Sequence, residues 1–97
     1  MAKGYWIFHA TITDPEAYRQ YVAQDGEAFA KYGARFLVRG GAFVVPEGDA
    51  KQRHVVIEFT SYESALACYH SPEYQAVSAF RRAGAVTDLV IVEGAAA

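Results

Sequence analysis

The sequence predicts one α+β domain of order β-α-β-β-α-β, with four antiparallel strands and both helices on one face. Three observations carry this. Val55, Ile57 and Phe59 alternate with His54, Val56, Glu58 and Thr60, so a strand here has one wholly apolar face and one mixed face. A capped helical stretch follows that strand at once, and an earlier strand, Tyr5 to Ile12, is followed by the helix opener Asp14-Pro15-Glu16 in the same way. The two strand-helix units are related in pattern and share no repeated sequence.

Taken in order, the first strand sets Trp6, Phe8, Ala10 and Ile12 against Tyr5, Ile7, His9 and Thr11, which places Trp6 and Phe8 in the core. From Asp14, Tyr18, Tyr21, Val22, Ala28, Phe29 and Tyr32 recur at helical spacing up to Gly33, the expected C-terminal cap, with Gly26 weakening the middle. The next strand starts at Ala34. Phe36 and Val38 share a face, yet beyond Gly40-Gly41 the apolar residues are Phe43 and Val45, so the parity flips and a bulge is expected at the two glycines. Pro46-Glu47-Gly48-Asp49 turns the chain back into the central strand.

Thr60 and Glu63 have capping-box spacing, which starts a helix near Ser61 with Ala65, Leu66 and Tyr69 on one stripe. Pro72 breaks it, and Ser71-Pro72-Glu73 is a good restart with Ser71 as N-cap. Val77 and Phe80 continue the stripe, and Gly84 ends it after Arg81 and Arg82. Val86 to Glu93 is the last strand, apolar on both faces. Residues 1–94 form the expected core, with Ala95 to Ala97 a tail. This is the split βαβ, ferredoxin-like arrangement.

One sheet face is left without helices. Its expected residues are Tyr5, Ile7, His9, Leu37, Val56, Val90 and Val92 with Arg35, Arg39, His54, Glu58 and Asp88, a patch too apolar to leave wet. A second copy is the simplest cover, giving a homodimeric α/β barrel with a pocket inside it or between sheet and helices.

Composition narrows the function. A net charge of -2 with scattered Lys and Arg gives no basic stripe for a phosphate backbone, and the open positions of the central strand lack the aromatics on which RNA bases stack. The single cysteine, Cys68, cannot close a disulfide within the chain and reads as a packed apolar residue of a reducing compartment. Met1 to Thr13 lacks the continuous apolar core of a signal peptide, so a cytoplasmic protein with no membrane partner is expected. There is no glycine-rich phosphate loop, Gly-x-Ser-x-Gly, His-Glu-x-x-His or paired cysteine, and His9, His54 and His70 have no metal-ligand spacing, so neither a cofactor nor a metal is expected.

Tyr32-Gly33-Ala34-Arg35-Phe36-Leu37-Val38-Arg39-Gly40-Gly41, then Val56-Ile57-Glu58-Phe59, then Tyr69-His70-Ser71-Pro72-Glu73-Tyr74-Gln75 give the chain a resemblance to the family catalogued as domain of unknown function 1330. The resemblance covers nearly the whole chain. It implies a dimeric α/β-barrel fold related to small ferredoxin-like enzymes, cofactor-free monooxygenases among them, and no established activity.

Two groups of residues could carry chemistry. If the first and third strands pair antiparallel, His9 meets His54 and Tyr5 meets Glu58, with Arg39 diagonal to Glu58. Then His54 or His9 would accept a proton while Arg35 or Arg39 holds a carboxylate or enolate, with His54, Arg39 and Glu58 as the catalytic set and Tyr5, His9 and Arg35 binding substrate. The competing reading is an interface network in which Arg39 neutralises Glu58. The second group is His70 at the Ser71-Pro72 break, where free amides and Arg81 could hold an anion; against it, His70 caps the first helical piece. The chain is therefore expected to bind a small organic molecule, as a cofactor-free proton-transfer or oxygenase-type enzyme or as a non-catalytic dimerisation or ligand-sensing module.

Overall fold

A computed structural model describes residues 2–96, which leaves Met1 and the tail residue Ala97 outside the description. The elements are β1 (Gly4–Ile12), α1 (Pro15–Gln24), α2 (Gly26–Lys31), β2 (Arg35–Arg39), β3 (Arg53–Phe59), α3 (Tyr62–His70), α4 (Pro72–Gly84) and β4 (Ala85–Glu93). The strands form one antiparallel sheet of order β2-β3-β1-β4. The alternation read from the sequence sets its two faces. Trp6, Phe8, Ala10, Val55, Ile57 and Phe59 are all buried under the helices.

Trp6 is the centre of that core. Its ring is fully buried, lies 4.8 Å from Tyr74 and 5.2 Å from Phe29 in edge-on contact, and donates Nε1–H to the Ala65 carbonyl at 2.9 Å. Each such aromatic pair adds about 0.5 to 1.5 kcal/mol beyond the area it buries. A hydroxyl chain runs between the helices, with Arg81 Nε donating to Tyr74 Oη at 3.2 Å and the Tyr21 and Tyr74 hydroxyls 2.9 Å apart. Burial raises both tyrosines above the usual phenol range and pushes the Cys68 thiol up to about 12, so Cys68 is a packing residue.

The second helical layer breaks where expected. Ser71 Oγ accepts from the Tyr74 amide at 3.1 Å and donates to the Cys68 carbonyl at 2.7 Å, closing α3 and opening α4 with one side chain. Gly84 meets α1 so closely that a side chain would fall 2.6 Å from Tyr18 N, while its carbonyl accepts from the amides of Thr13 and Asp14. Glycine is required there by approach.

Three local expectations are corrected. The cap of α3 is Ser61, whose Oγ accepts from the Ser64 amide at 3.0 Å, and not Thr60; the chain enters the helix one residue later than the Thr60–Glu63 spacing suggested. The first helical layer is two helices, divided at Asp25, because the Asp25 side chain turns inward and Gly26 has weak helix propensity. The bulge lies at Leu37, between the pairs Phe36–Ile57 and Val38–Val56, and not at Gly40-Gly41. Gly40, with φ of +69°, instead ends the strand, its amide donating to the His54 carbonyl at 2.8 Å. Phe43 and Val45 accordingly lie in an unpaired arm rather than in the strand, and Val44 between them is 87% exposed.

Candidate functional site

The open face carries the residues that the pairing register dictates. Tyr5 is opposite Glu58, Ile7 opposite Val56 and His9 opposite His54 on one side of β1, with Val92, Val90 and Asp88 on the other. Ile7 is 46% exposed and Val90 57%, an uncovered apolar stripe through the middle of the sheet. Arg35 lies across from Glu58. Arg39 is the exception and a correction: the bulge at Leu37 turns it to the helix side, where it stacks 4.2 Å from the Phe36 ring centre and approaches the buried Asp25 carboxylate at 3.9 Å. It cannot neutralise Glu58.

The polar residues gather at two ends. At one, Glu58 accepts from Lys3 Nζ and from the Tyr5 hydroxyl, each at 3.2 Å. The Lys3 hydrogen bond, with help from Tyr5 and the positive charge of Arg35, holds the Glu58 carboxyl below the usual range despite some desolvation, so it is an ionised, occupied group. At the other end, four residues or about 13 Å along β3, His9 and His54 face each other with ring centres 5.6 Å apart. His9 Nδ1 lies 3.4 Å from the Lys51 amide, which makes it the acceptor, so Nε2 carries the hydrogen toward Asp88 Oδ2 at 3.1 Å. Lys51 also bonds Asp88, and holds its carboxyl below the usual range.

His54 is different. Its Nε2 is buried and has no hydrogen-bond partner, while the Phe43 ring packs edge-on 4.6 Å away. Ile7, His9, His54, Val56, Asp88 and Val90 border a mostly apolar groove of about 260 Å³ at this point. The expected catalytic set of His54, Arg39 and Glu58 is therefore not gathered at one point; His9 and His54 come together, Tyr5, Arg35 and Glu58 come together, and Arg39 joins neither. Lys3 and Lys51 were missed by sequence reasoning. Lys51 lies before the strand, where alternation assigns no face.

The second candidate group does not assemble. His70 is exposed at the end of α3 with its ring edge-on to Tyr69 at 5.2 Å, Arg81 is buried on the Tyr74 hydroxyl, and Ser71 already occupies the Tyr74 amide at the start of α4. Among the described residues no cluster of three or more His, Cys, Asp or Glu could hold a metal ion, and no helix is long and apolar enough to cross a membrane.

Sheet order, helix placement and an uncovered apolar face define a small ferredoxin-like α+β domain. Within that class the chain belongs to the family catalogued as domain of unknown function 1330, which matches residues 3–95. No curated protein matches it. A protein of unknown function from Rhodopseudomonas palustris superposes with a TM-score of 0.77 at 15% identity, over 99% of this chain and 85% of that one. SnoaB of Streptomyces nogalater, a cofactor-independent oxygenase, gives 0.66 at 14% identity over 100% and 97%. A dimeric ferredoxin-like protein of unknown function from Thermobifida fusca gives 0.56 at 18% over 98% and 92%. At these identities the likeness establishes the fold alone.

Proposed function

We propose that the protein is a homodimer whose two open faces pack together, and that the groove at His54 binds a small, largely apolar organic molecule bearing one carbonyl or hydroxyl group. The observation that carries this is an apolar groove lined by His54, a residue whose Nε2 is buried without a hydrogen-bond partner. An unmade hydrogen bond at a buried nitrogen costs about 1 to 3 kcal/mol, a cost that a ligand group would remove on reaching Nε2 as the Phe43 ring packed beside it shifts. Covering the stripe of Ile7, Val56, Val90 and Val92 with a second copy turns an open groove into a dry chamber, in which that hydrogen bond gains strength.

Given a substrate with an acidic C–H or O–H, His54 is the group that would take the proton, in chemistry of the cofactor-free proton-transfer or oxygenase type. His9, fixed by Asp88 and the Lys51 amide, would orient beside it. A second reading, a non-catalytic dimerisation or ligand-sensing module, draws support from Glu58 and His9 being already paired within the chain. A thermal-shift screen of small carbonyl and aromatic metabolites separates the two. Binding at the groove requires compounds that stabilise the wild type and Arg39→Ala alike and lose their effect on His54→Ala. If no compound acts, or His54→Ala responds as the wild type does, the groove is only an interface.

A further inference from the structure

On the helix side of the sheet, behind His54 in the chain, Arg53 is held in a way that the open-face site does not explain. Its Nε donates to the Tyr18 hydroxyl at 3.2 Å, and its guanidinium carbon lies 5.5 Å from the centre of the Tyr18 ring. On the other side it lies against Gly40, where a Cβ would collide with Nη1. Gly40 is itself fixed by its bond to the His54 carbonyl. The guanidinium is thus clamped between an aromatic ring and a glycine. Among the described residues it nevertheless makes no ion pair, although its charge acts on the buried Asp25, which Arg39 approaches at 3.9 Å.

Arg53 lines a cleft of about 250 Å³ together with Ala10, Ile12, Gly41, Phe43 and Gln52. We infer that this cleft is a second binding site, for a small organic acid whose carboxylate is received by the free edge of Arg53 and whose apolar body lies against Ile12 and Phe43. A planar, immobilised guanidinium suits a planar carboxylate and loses little freedom on binding it. A single cation in a cleft of mixed polar and apolar lining suits a monoanion better than a phosphoryl group. The space exceeds the ~150 Å³ of an apolar cavity that accepts benzene, which fits a single-ring or short branched acid. Arg53 and His54 are consecutive strand residues, so their sites lie on opposite faces of the sheet.

The test is amide-resolved NMR titration of the full chain with sodium benzoate, phenylacetate and isovalerate, and with benzamide as the neutral isostere of benzoate. At least one carboxylate is expected to shift the Gly40, Gly41 and Gln52 amides in a saturable way, with benzamide and Arg53→Gln each weakening the response about tenfold or more. Val90→Ala, which alters the open-face groove and no residue lining this cleft, should titrate as the wild type does, which separates this site from the open-face groove. Gly40→Ala, which displaces the guanidinium, and Arg53→Lys, which keeps the charge and loses the planar fork, should both weaken binding and serve if Arg53→Gln does not fold. The site is refuted if none of the acids shifts these amides, if benzamide matches benzoate, or if folded variants at Arg53 and Gly40 bind as tightly as the wild type.

Discussion

The two faces of one sheet, built from alternate residues of the same strands, are opposites in how their polar groups are treated. Under the helices the indole nitrogen of Trp6 and the hydroxyls of Tyr21 and Tyr74 have partners, with Thr87 Oγ1 the buried exception on this side, and the Trp6 and Tyr74 rings meet edge-on at about the distance such pairs prefer. On the open face Ile7 and Val90 stay about half exposed, and a buried nitrogen of His54 has no hydrogen-bond partner. A face that is closed and largely satisfied makes stability. A face that is apolar, uncovered and locally unsatisfied is where a partner or a ligand gains most, and substitutions on the two faces should differ in kind.

The largest effect is expected on the closed face. Trp6→Ala removes the ring on which Phe29, Tyr74 and Phe59 converge and leaves the Ala65 carbonyl without its donor, so chemical denaturation should show a loss of about 3 to 5 kcal/mol. That is a large share of the roughly 5 to 15 kcal/mol that holds a domain together. A loss under about 1 kcal/mol would mean that Trp6 is not the centre of the core.

The counterpart on the open face is Val90→Lys. Val90 is 57% exposed in the single chain, so the charge is readily solvated in a monomer and buried in the proposed dimer. Sedimentation should show a folded protein of half the wild-type mass. A wild type that is already monomeric, or a variant that remains dimeric, would leave this face without its proposed role.

How far the sequence disclosed this contrast depends on which rule each residue obeys. Alternation placed Trp6, Phe8, Val55, Ile57 and Phe59 inside, because a slip by one residue would turn them all outward, and the antiparallel register that faces His9 to His54 and Tyr5 to Glu58 keeps that parity. The parity flip in β2 was also visible, but its position was not. Glycines suggest a bulge where they stand, yet here Gly40 ends the strand at a positive φ and the extra residue is Leu37. That displacement by three residues moves Arg39 to the opposite face and removes it from the candidate site. Asp25 was likewise invisible, since an acidic residue on a helical pattern reads as solvent-facing and its burial depends on Arg39 and Arg53 arriving from other strands. Side-chain pairing beyond the strands, such as Lys3 with Glu58 and Lys51 with Asp88, follows no period at all.

Asp25 is the acidic group buried on the closed face, and it should report that in its pH dependence. Burial raises its carboxyl from 3.8 to about 6, against the opposing pull of Arg39 and Arg53. Because the folded value lies above the unfolded one, the associated stability is fully present below about pH 4 and is lost as pH rises through about 6, by roughly 2 to 3 kcal/mol. Other carboxylates with lowered values, Glu58, Glu73 and Asp88, titrate in the opposite sense, so the difference between wild type and Asp25→Asn is the useful quantity. Asp25→Asn should be the more stable protein at pH 7, with the gap closing toward pH 4. Equal stability at both ends would place the carboxylate in a solvated setting.

The smallest stability effect is expected at the residue with the clearest functional claim. His54→Leu keeps nearly the same volume and removes the unpartnered Nε2, so urea unfolding should show a change between zero and about 1 kcal/mol in favour of the variant. The same substitution should abolish any ligand-induced thermal shift that depends on the groove. If dimer and fold are instead weakened together, Nε2 finds its partner in the second copy and His54 belongs to the interface. A side chain whose removal costs binding but no stability is one that the fold does not need for itself, and the open face, unlike the closed one, has room for such a residue.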